Sequence, residues 1–329
     1  MSKLALALFT ASTLVCACGD DDSVTLAPDA APEEVTILAT AQATPELSTL
    51  VAAVQFASEN NDLVNLLASP GTLTVFAPTN AAFDALAVEI TGDPNATGPD
   101  LLTPANKALL RSVLQYHVLT TEVMAAEIPF GSPITTAEGS FFKIDTGTPP
   151  VITDGRNRTA EIIDVDIEAT NGVVHVIDAV LLPPNQNVVQ TAQSLAAADP
   201  GEFNVLVEAV GRANLAPTLS GSGPYTVFAP TDAAFAALLA ELGVTKEELL
   251  ADRELLASVL SYHVVPSLVL AADIPFDTRI ATVETGTIVI SDDLVVTDER
   301  GRTVKIVRTD VLTDNGVIHV IDGVLLPAP

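Results

Sequence analysis

The sequence has no tryptophan, two cysteines and little positive charge: 14 lysines and arginines stand against 42 aspartates and glutamates, a net charge of −28 over 329 residues. Each shortage excludes something. The acidic excess argues against nucleic acid as a partner, because a phosphate backbone needs clustered Lys and Arg to neutralise it. It also argues against electrostatic docking on an anionic lipid surface. Aromatic residues are 4% of the chain, too few for a platform on which bases or sugars stack. Both cysteines precede residue 19, so no disulfide framework holds the rest together. What is present is a 48% apolar composition, enough at this length for two domains, each with its own core.

The first 34 residues read as a leader followed by a tether. Met1-Ser2-Lys3 is a basic start, and Leu4 to Val15 is an uncharged run of 12 residues. That run is shorter than the ~20 residues a membrane-spanning helix needs, but it suits the core of a signal peptide. Val15-Cys16-Ala17-Cys18 resembles a bacterial lipobox, with Cys16 standing where Ala or Ser is usual. The resemblance implies removal of residues 1–17 as a lipoprotein signal peptide and acylation of Cys18. An ordinary secretory signal cut nearby is the other reading. Residues 18–34 hold six acidic residues, two prolines and no basic residue, the composition of an extended tether.

Beyond the tether the chain says the same thing twice. Thr74 to Phe83 (TVFAPTNAAF) returns as Thr226 to Phe235 (TVFAPTDAAF). Tyr116-His117-Val118 returns as Tyr262-His263-Val264, and Ile128-Pro129-Phe130 as Ile274-Pro275-Phe276. Asn171 to Asp178 (NGVVHVID) returns as Asn315 to Asp322 (NGVIHVID), and each copy runs on to Val-Leu-Leu-Pro. Four blocks in one order at offsets of 152, 146, 146 and 144 residues mean a duplicated domain, since solenoid repeats run only ~20–50 residues. The expected units are 35–186 and 187–329, each long enough to fold alone, joined near Pro183-Pro184. The shrinking offset puts an insertion in the first copy at Thr91 to Asp100, whose Gly, Pro, Asn and Asp content predicts a surface loop.

Within each copy the periodicity changes along the chain. Ser48 to Leu67 has helical spacing, and Leu73 to Ala77 is a short buried strand ending at Pro78. Thr79 or Asn80 then caps a helix, as does Thr231 or Asp232 in the second copy. Leu109-Leu110-x-x-Val113-Leu114-x-x-His117 matches Leu255-Leu256-x-x-Val259-Leu260-x-x-His263, an apolar stripe that a histidine continues. Thr103-Pro104 and Asp252 are candidate N-caps for it, and Thr245-x-x-Glu248 is a capping box for a short helix before it. Ala160 to Ile167 and Val304 to Val311 alternate as strands, with Asn171-Gly172 and Asn315-Gly316 as hairpin turns. Helices before strands in each copy indicate an α+β fold.

These blocks resemble the fasciclin-like domain family, whose motifs read Thr-x-Phe-x-Pro-Thr-Asn-x-Ala-Phe, a central Tyr-His, and Asn-Gly-x-x-His-x-Ile-Asp. All three occur twice, in order, from about residue 36 to 327; Asp232 stands where Asn is usual. The resemblance implies two tandem domains, each a β-wedge of strands packed with helices. It also implies adhesion or recognition outside the cytoplasm, with a protein or glycan partner at the surface or matrix and contact with the membrane only through the N-terminal lipid. Candidate recognition residues by the same resemblance are Tyr116, His117, Asp166 and Ile167, and Tyr262, His263 and Asp310; Val311 departs from the family's Asp-Ile pair. Thr79, Asn80, His175 and Asp178, with Thr231, Asp232, His319 and Asp322, are the motif residues expected to be structural.

The residues give no sign of catalysis or of a cofactor. All four histidines fall in the motifs. His175 and Asp178, three apart on a strand, point to opposite faces and cannot form a dyad. No His-x-x-x-His or cysteine cluster supplies the three or four ligands of a zinc site, and no nucleophile elbow, Walker loop or dinucleotide fingerprint occurs. The histidines are expected to be buried and satisfied by main-chain hydrogen bonds. Ser291-Asp292-Asp293 lacks the ligand order of a calcium loop. Arg300, Arg302, Lys305 and Arg308 form one basic cluster, expected to be a solvated hairpin beside Asp298 and Glu299. A carrier of a small hydrophobic ligand, held between helices and sheet, is the alternative to a recognition protein.

Overall fold

A computed structural model describes residues 35–198 and 200–329; the leader, Cys18 and the tether lie outside the described residues. Each repeat opens with three short helices: α1 (Ile37–Ala43), α2 (Ser48–Ala57) and α3 (Asp62–Ala68) in the first. Strand β1 (Leu73–Pro78) and helices α4 (Asn80–Thr91) and α5 (Lys107–Tyr116) follow. The rest of the copy is β2 (Val118–Leu119), β3 (Pro133–Thr135), β4 (Phe141–Asp145), β5 (Val151–Thr153), β6 (Thr159–Ala169) and β7 (Gly172–Ile177). The second copy runs α6 (Val188–Ala196), α7 (Asn204–Arg212), α8 (Ala216–Leu219), β8 (Tyr225–Pro230) and α9 (Asp232–Leu242). It continues through α10 (Lys246–Ala251), α11 (Arg253–Tyr262), β9 (Val264–Val265), β10 (Arg279–Ala281), β11 (Thr287–Ile290), β12 (Val295–Thr297), β13 (Thr303–Thr313) and β14 (Gly316–Ile321). The two seven-stranded sheets share one order, β2-β1-β7-β6-β5-β4-β3 and β9-β8-β14-β13-β12-β11-β10.

Only β1 with β7, and β8 with β14, pair in parallel among the described strands. A strand at that position is covered on both faces, so it reads as a continuous apolar run rather than an alternation. All six residues of β1 and of β7 are buried accordingly. Alternation then sorts them between two cores. Val75, Ala77, Val174 and Val176 face the helices, while Phe76 and Ile177 join Tyr116, Phe142 and Ile144 inside the wedge.

Several local expectations change in the fold. The helical run from Ser48 to Leu67 is two helices, because Asn60 and Asn61 adopt positive φ (51° and 61°) and turn the chain between them. The insertion is more than a surface loop: Ala96 and Gly98 are buried, and Gly98 donates its N–H to Asp84 at 2.7 Å. Thr103 caps a 3₁₀ turn at Pro104–Asn106 without a side-chain bond, whereas Asp252 accepts from the Leu255 N–H at the start of α11. In β6 and β13 the register shifts twice, between Ile162 and Ile167 and between Ile306 and Val311, so faces counted by simple alternation fail beyond the first bulge. The basic cluster is spread accordingly. Arg302 pairs with Glu241, Arg300 donates Nε to the Pro327 carbonyl, and Lys305 and Arg308 are exposed.

The hairpin glycines are required by their neighbours. A Cβ on Gly172 would lie 1.9 Å from the Leu73 carbonyl oxygen, and one on Gly316 would lie 2.0 Å from that of Tyr225. Both obstacles are backbone in the parallel pair, which cannot move aside. Gly172→Ala is expected to destabilise its domain by about 2–4 kcal/mol, measured by urea denaturation. A loss below ~0.5 kcal/mol would show that the strands yield.

Candidate functional site

Tyr116 and His117 end α5 as Tyr262 and His263 end α11, and all four are at most 2% exposed. Their burial corrects the expectation that they contact a partner. The apolar stripe of the helix turns the tyrosine and histidine into the protein, where each bonds main chain. Tyr116 Oη donates to the Phe141 carbonyl and Tyr262 Oη to that of Thr287, both at 2.7 Å. Burial pushes the Tyr262 hydroxyl up to about 12. The N–H of Leu181 donates to His117 Nε2 at 2.9 Å; that nitrogen is therefore unprotonated, and Nδ1–H donates to the Val113 carbonyl at 2.6 Å. His263 repeats the arrangement between Leu325 N and Val259 O.

His175 and His319 sit on the central strands and take the opposite tautomer. The N–H of Asp166 donates to His175 Nδ1 at 3.2 Å, and Nε2–H donates to the Val123 carbonyl at 2.9 Å. His319 binds Asp310 N and Val269 O in the same way. Each ring lies beside the phenyl ring of its strand partner, Phe76 or Phe228, at centroid distances of 5.4 and 5.5 Å. With both nitrogens of every ring engaged, no imidazole is left to take a proton from a substrate. Among the described residues no group of three or more His, Cys, Asp or Glu is placed to hold a metal ion.

The remaining motif residues divide between caps and clamps. Thr79 and Thr231 are the N-caps of α4 and α9, accepting from Ala82 N and Ala234 N. Asn80 and Asp232 cap a different helix. Asn80 Oδ1 accepts from Thr49 N at the start of α2 and its Nδ2 donates to Pro45 O; Asp232 accepts from Val205 N and Asn204 Nδ2 at the start of α7. A carboxylate serves in the second copy because Asn204 supplies the donor there. Asp178 and Asp322 are exposed and accept from Glu161 N and Lys305 N; neither meets the histidine three residues before it.

Two further side chains, whose role the motifs did not announce, hold each copy shut. Asn171 accepts from Ile37 N and donates to Leu67 O and Ser69 O, tying α1 and the end of α3 to the hairpin. Asn315 does the same with Val188, Leu219 and Gly221. Buried Asp154 accepts from Arg156 N, Arg158 N and Leu182 N, as Asp298 does from Arg300, Arg302 and Leu326. Burial raises the Asp154 carboxyl above its ordinary range despite those three donors. The repetition of Asp-x-Arg-x-Arg at 154–158 and 298–302 was the signal in the sequence.

One pair of equivalent residues differs between the copies. Asp166 and Asp310 occupy the bulges of β6 and β13 with φ of 55° and 57°. Asp166 Oδ1 accepts from Ala125 N and Asp310 Oδ1 from Ala271 N. Asp310 Oδ2 also takes Lys143 Nζ from the first copy at 3.0 Å, and its side chain is 4% exposed. Asp166 is half-buried, with no cation paired to it among the described residues, and Ile167 beside it packs against the helical core.

This repeated frame has known relatives. The fasciclin domain model matches residues 45–183 and 201–327. The chain belongs to the fasciclin domain family. It is 31% identical over 264 residues to transforming growth factor-beta-induced protein ig-h3 of Sus scrofa, covering 79% of this chain and 35% of that protein. It is 42% identical over 124 residues to protein sll1483 of Synechocystis, covering 37% of this chain and 62% of that one. The chain thus spans about a third of the length of the first of these. A FAS1 domain pair from the insect cell adhesion molecule fasciclin I aligns over 85% of this chain and 97% of its own, at 20% identity and a TM-score of 0.41. Fasciclin domains are found in cell-adhesion and extracellular-matrix proteins.

The fasciclin histidines make stability depend on pH. Burial lowers His117 and His263 to about 4, and lowers His319 as well. The unfolded chain therefore binds these protons first, near pH 6.5, and the stability held above that pH is lost as pH falls toward 4. The melting temperature is expected to drop across pH 6.5 to 4, and His117→Ala to cost about 1–3 kcal/mol. A flat melting profile over that window in the wild type would contradict the burial of neutral imidazoles.

Proposed function

We propose that the protein is a lipid-anchored adhesion or recognition protein outside the cytoplasm, and that it binds its partner through the Asp166–Ile167 face of the first fasciclin domain. The carrying observation is the difference at the two bulges: Asp310 is taken by Lys143, and Asp166 is not. The positions that hold Leu268 and Leu312 in the second copy hold Glu122 and Glu168 in the first, both exposed. Between a protein and a glycan partner, an acidic face on a chain of net charge −28 favours a protein surface bearing Lys or Arg over an anionic glycan. The membrane contact in this reading is the acyl chain on Cys18, supported by the resemblance of Val15-Cys16-Ala17-Cys18 to a lipobox.

Attachment of knockout cells carrying each variant tests both parts. Asp166→Asn keeps a residue that tolerates positive φ and an oxygen for Ala125 N, so it should abolish attachment without lowering the melting temperature. Wild-type attachment by Asp166→Asn would remove the site. Clickable palmitate should label the wild type and not Cys18→Ser; labelling that survives Cys18→Ser and disappears in Cys16→Ser would move the anchor.

One observation favours the carrier reading. Each copy has an apolar crevice between its first helices and its sheet, lined by Ile37, Leu50 and Leu63 in the first and by Val188, Leu206 and Val207 in the second. Few polar groups converge there to orient a ligand, which places this reading second. A native mass spectrum of the purified protein decides it: retained small molecules would make the protein a carrier.

A further inference from the structure

The two domains meet through residues that the repeats do not share. Lys143 reaches Asp310, and Asn157 grips the backbone of Leu312 from both sides, its Oδ1 accepting from Leu312 N at 2.7 Å and its Nδ2 donating to Leu312 O at 3.0 Å. Phe141 packs against Leu270, Leu312 and Val317, which form a small core of their own. Ser132 donates to Asp273 at 2.8 Å, and beside it a Cβ on Gly131 would lie 2.7 Å from that of Ala272. In the second copy the positions of Gly131, Phe141, Lys143 and Asn157 are held by Asp277, Thr287, Val289 and Gly301. The gripping set exists once, on the first domain. The gripped set, with its apolar Leu270 and Leu312, exists once, on the second. The second domain therefore offers no cation, amide or phenyl ring at the matching place to take Asp166, and the first domain's own set is occupied within the chain.

We propose that this joint is a lock that withholds the second domain's Asp310–Val311 face, so that the closed molecule presents one recognition face, that of the first domain, and opening the joint presents a second. The inference rests on the reading of Asp166–Ile167 as a recognition face. Its physical content is that one contact both fixes the orientation of the domains and occupies the surface equivalent to the open one. In the closed form Asp310 is buried against Lys143 and Leu312 has both its N–H and its carbonyl occupied by Asn157, while Val311 packs into the second domain's own core as Ile167 packs against the first's.

The repeat supplies its own control. Phe141→Thr/Lys143→Val/Asn157→Gly installs in the first domain the residues that the second domain carries at the same places. The main-chain bond from Tyr116 to the 141 carbonyl is retained, as it is at Thr287. In the full chain, hydrogen exchange of segments 268–273 and 309–313 should be at least tenfold faster in this variant than in the wild type, and one calorimetric transition should become two. Lys143→Arg keeps the cation and should keep the protection. The single change Asn157→Gly should release Leu312 alone, and its exchange decides the joint if the triple variant misfolds. Unchanged exchange in folded variants would overturn the lock. Attachment of cells carrying the triple change together with Asp166→Asn tests the consequence. Regained attachment supports the second face, and an open joint by exchange with no regained attachment overturns it. If Asp166→Asn alone attaches like the wild type, the recognition reading fails, while exchange still decides the joint.

Discussion

The parallel pairing of β1 with β7, and of β8 with β14, is the constraint on which each domain depends. A parallel pair cannot be closed by a tight turn, so the whole of helices α4 and α5 and the β2–β6 hairpins lie between its two strands. Both strands are fully buried in the first domain, and every polar group near them needs a partner inside the protein. The four histidines meet that demand. Each imidazole gives one donor and one acceptor to main chain from separate segments, so the motif histidines hold the helix end, the bulge and the tail against the central strands. They are saturated by this work, with both nitrogens of every ring bonded to main chain.

The bulges carry the consequence outward. Asp166 and Asp310 donate their N–H groups to the histidines and sit at positive φ, and each carboxylate then accepts from the segment alongside, Ala125 N or Ala271 N. The same internal bond thus presents a carboxylate at the same place in both domains. What then differs is the neighbour. In the second domain that carboxylate meets Lys143 on a surface flanked by leucines, and in the first it is flanked by glutamates. Burial holds Lys143 down, but its hydrogen bonds to Asp310 and Asp145 outweigh it and keep the ammonium above its ordinary range. Duplication gave two equal faces, and substitution at a handful of positions made one of them a joint.

From the sequence the repeat, its order, the helix stripes, the capping threonines and the α+β class were legible, because each is written in local periodicity or in self-similarity. The four histidines were expected to bond main chain, and the geometry shows which carbonyls and amides they bond. Tyr116 and His117, which the family resemblance offered as contacts, are buried at the end of α5, as the apolar stripe that the histidine continues had implied for His117.

What the sequence determined by itself was therefore most of what depends on neighbours within a few residues, the turn at Asn60-Asn61 and the bulges excepted, together with the fact that two copies exist. The tertiary structure alone decided the rest. That Asn171 and Asp154 are clamps, that Asn80 caps a helix some thirty residues before it, and that Lys143 meets Asp310 across 167 positions are contacts between segments brought together only by folding. Side-chain amides, carboxylates and ammonium groups carry no periodic signature of their partners, since their energy depends on distance in space and on exclusion from water. Only a structure in which the two domains are packed shows that one of two equivalent aspartates is already engaged.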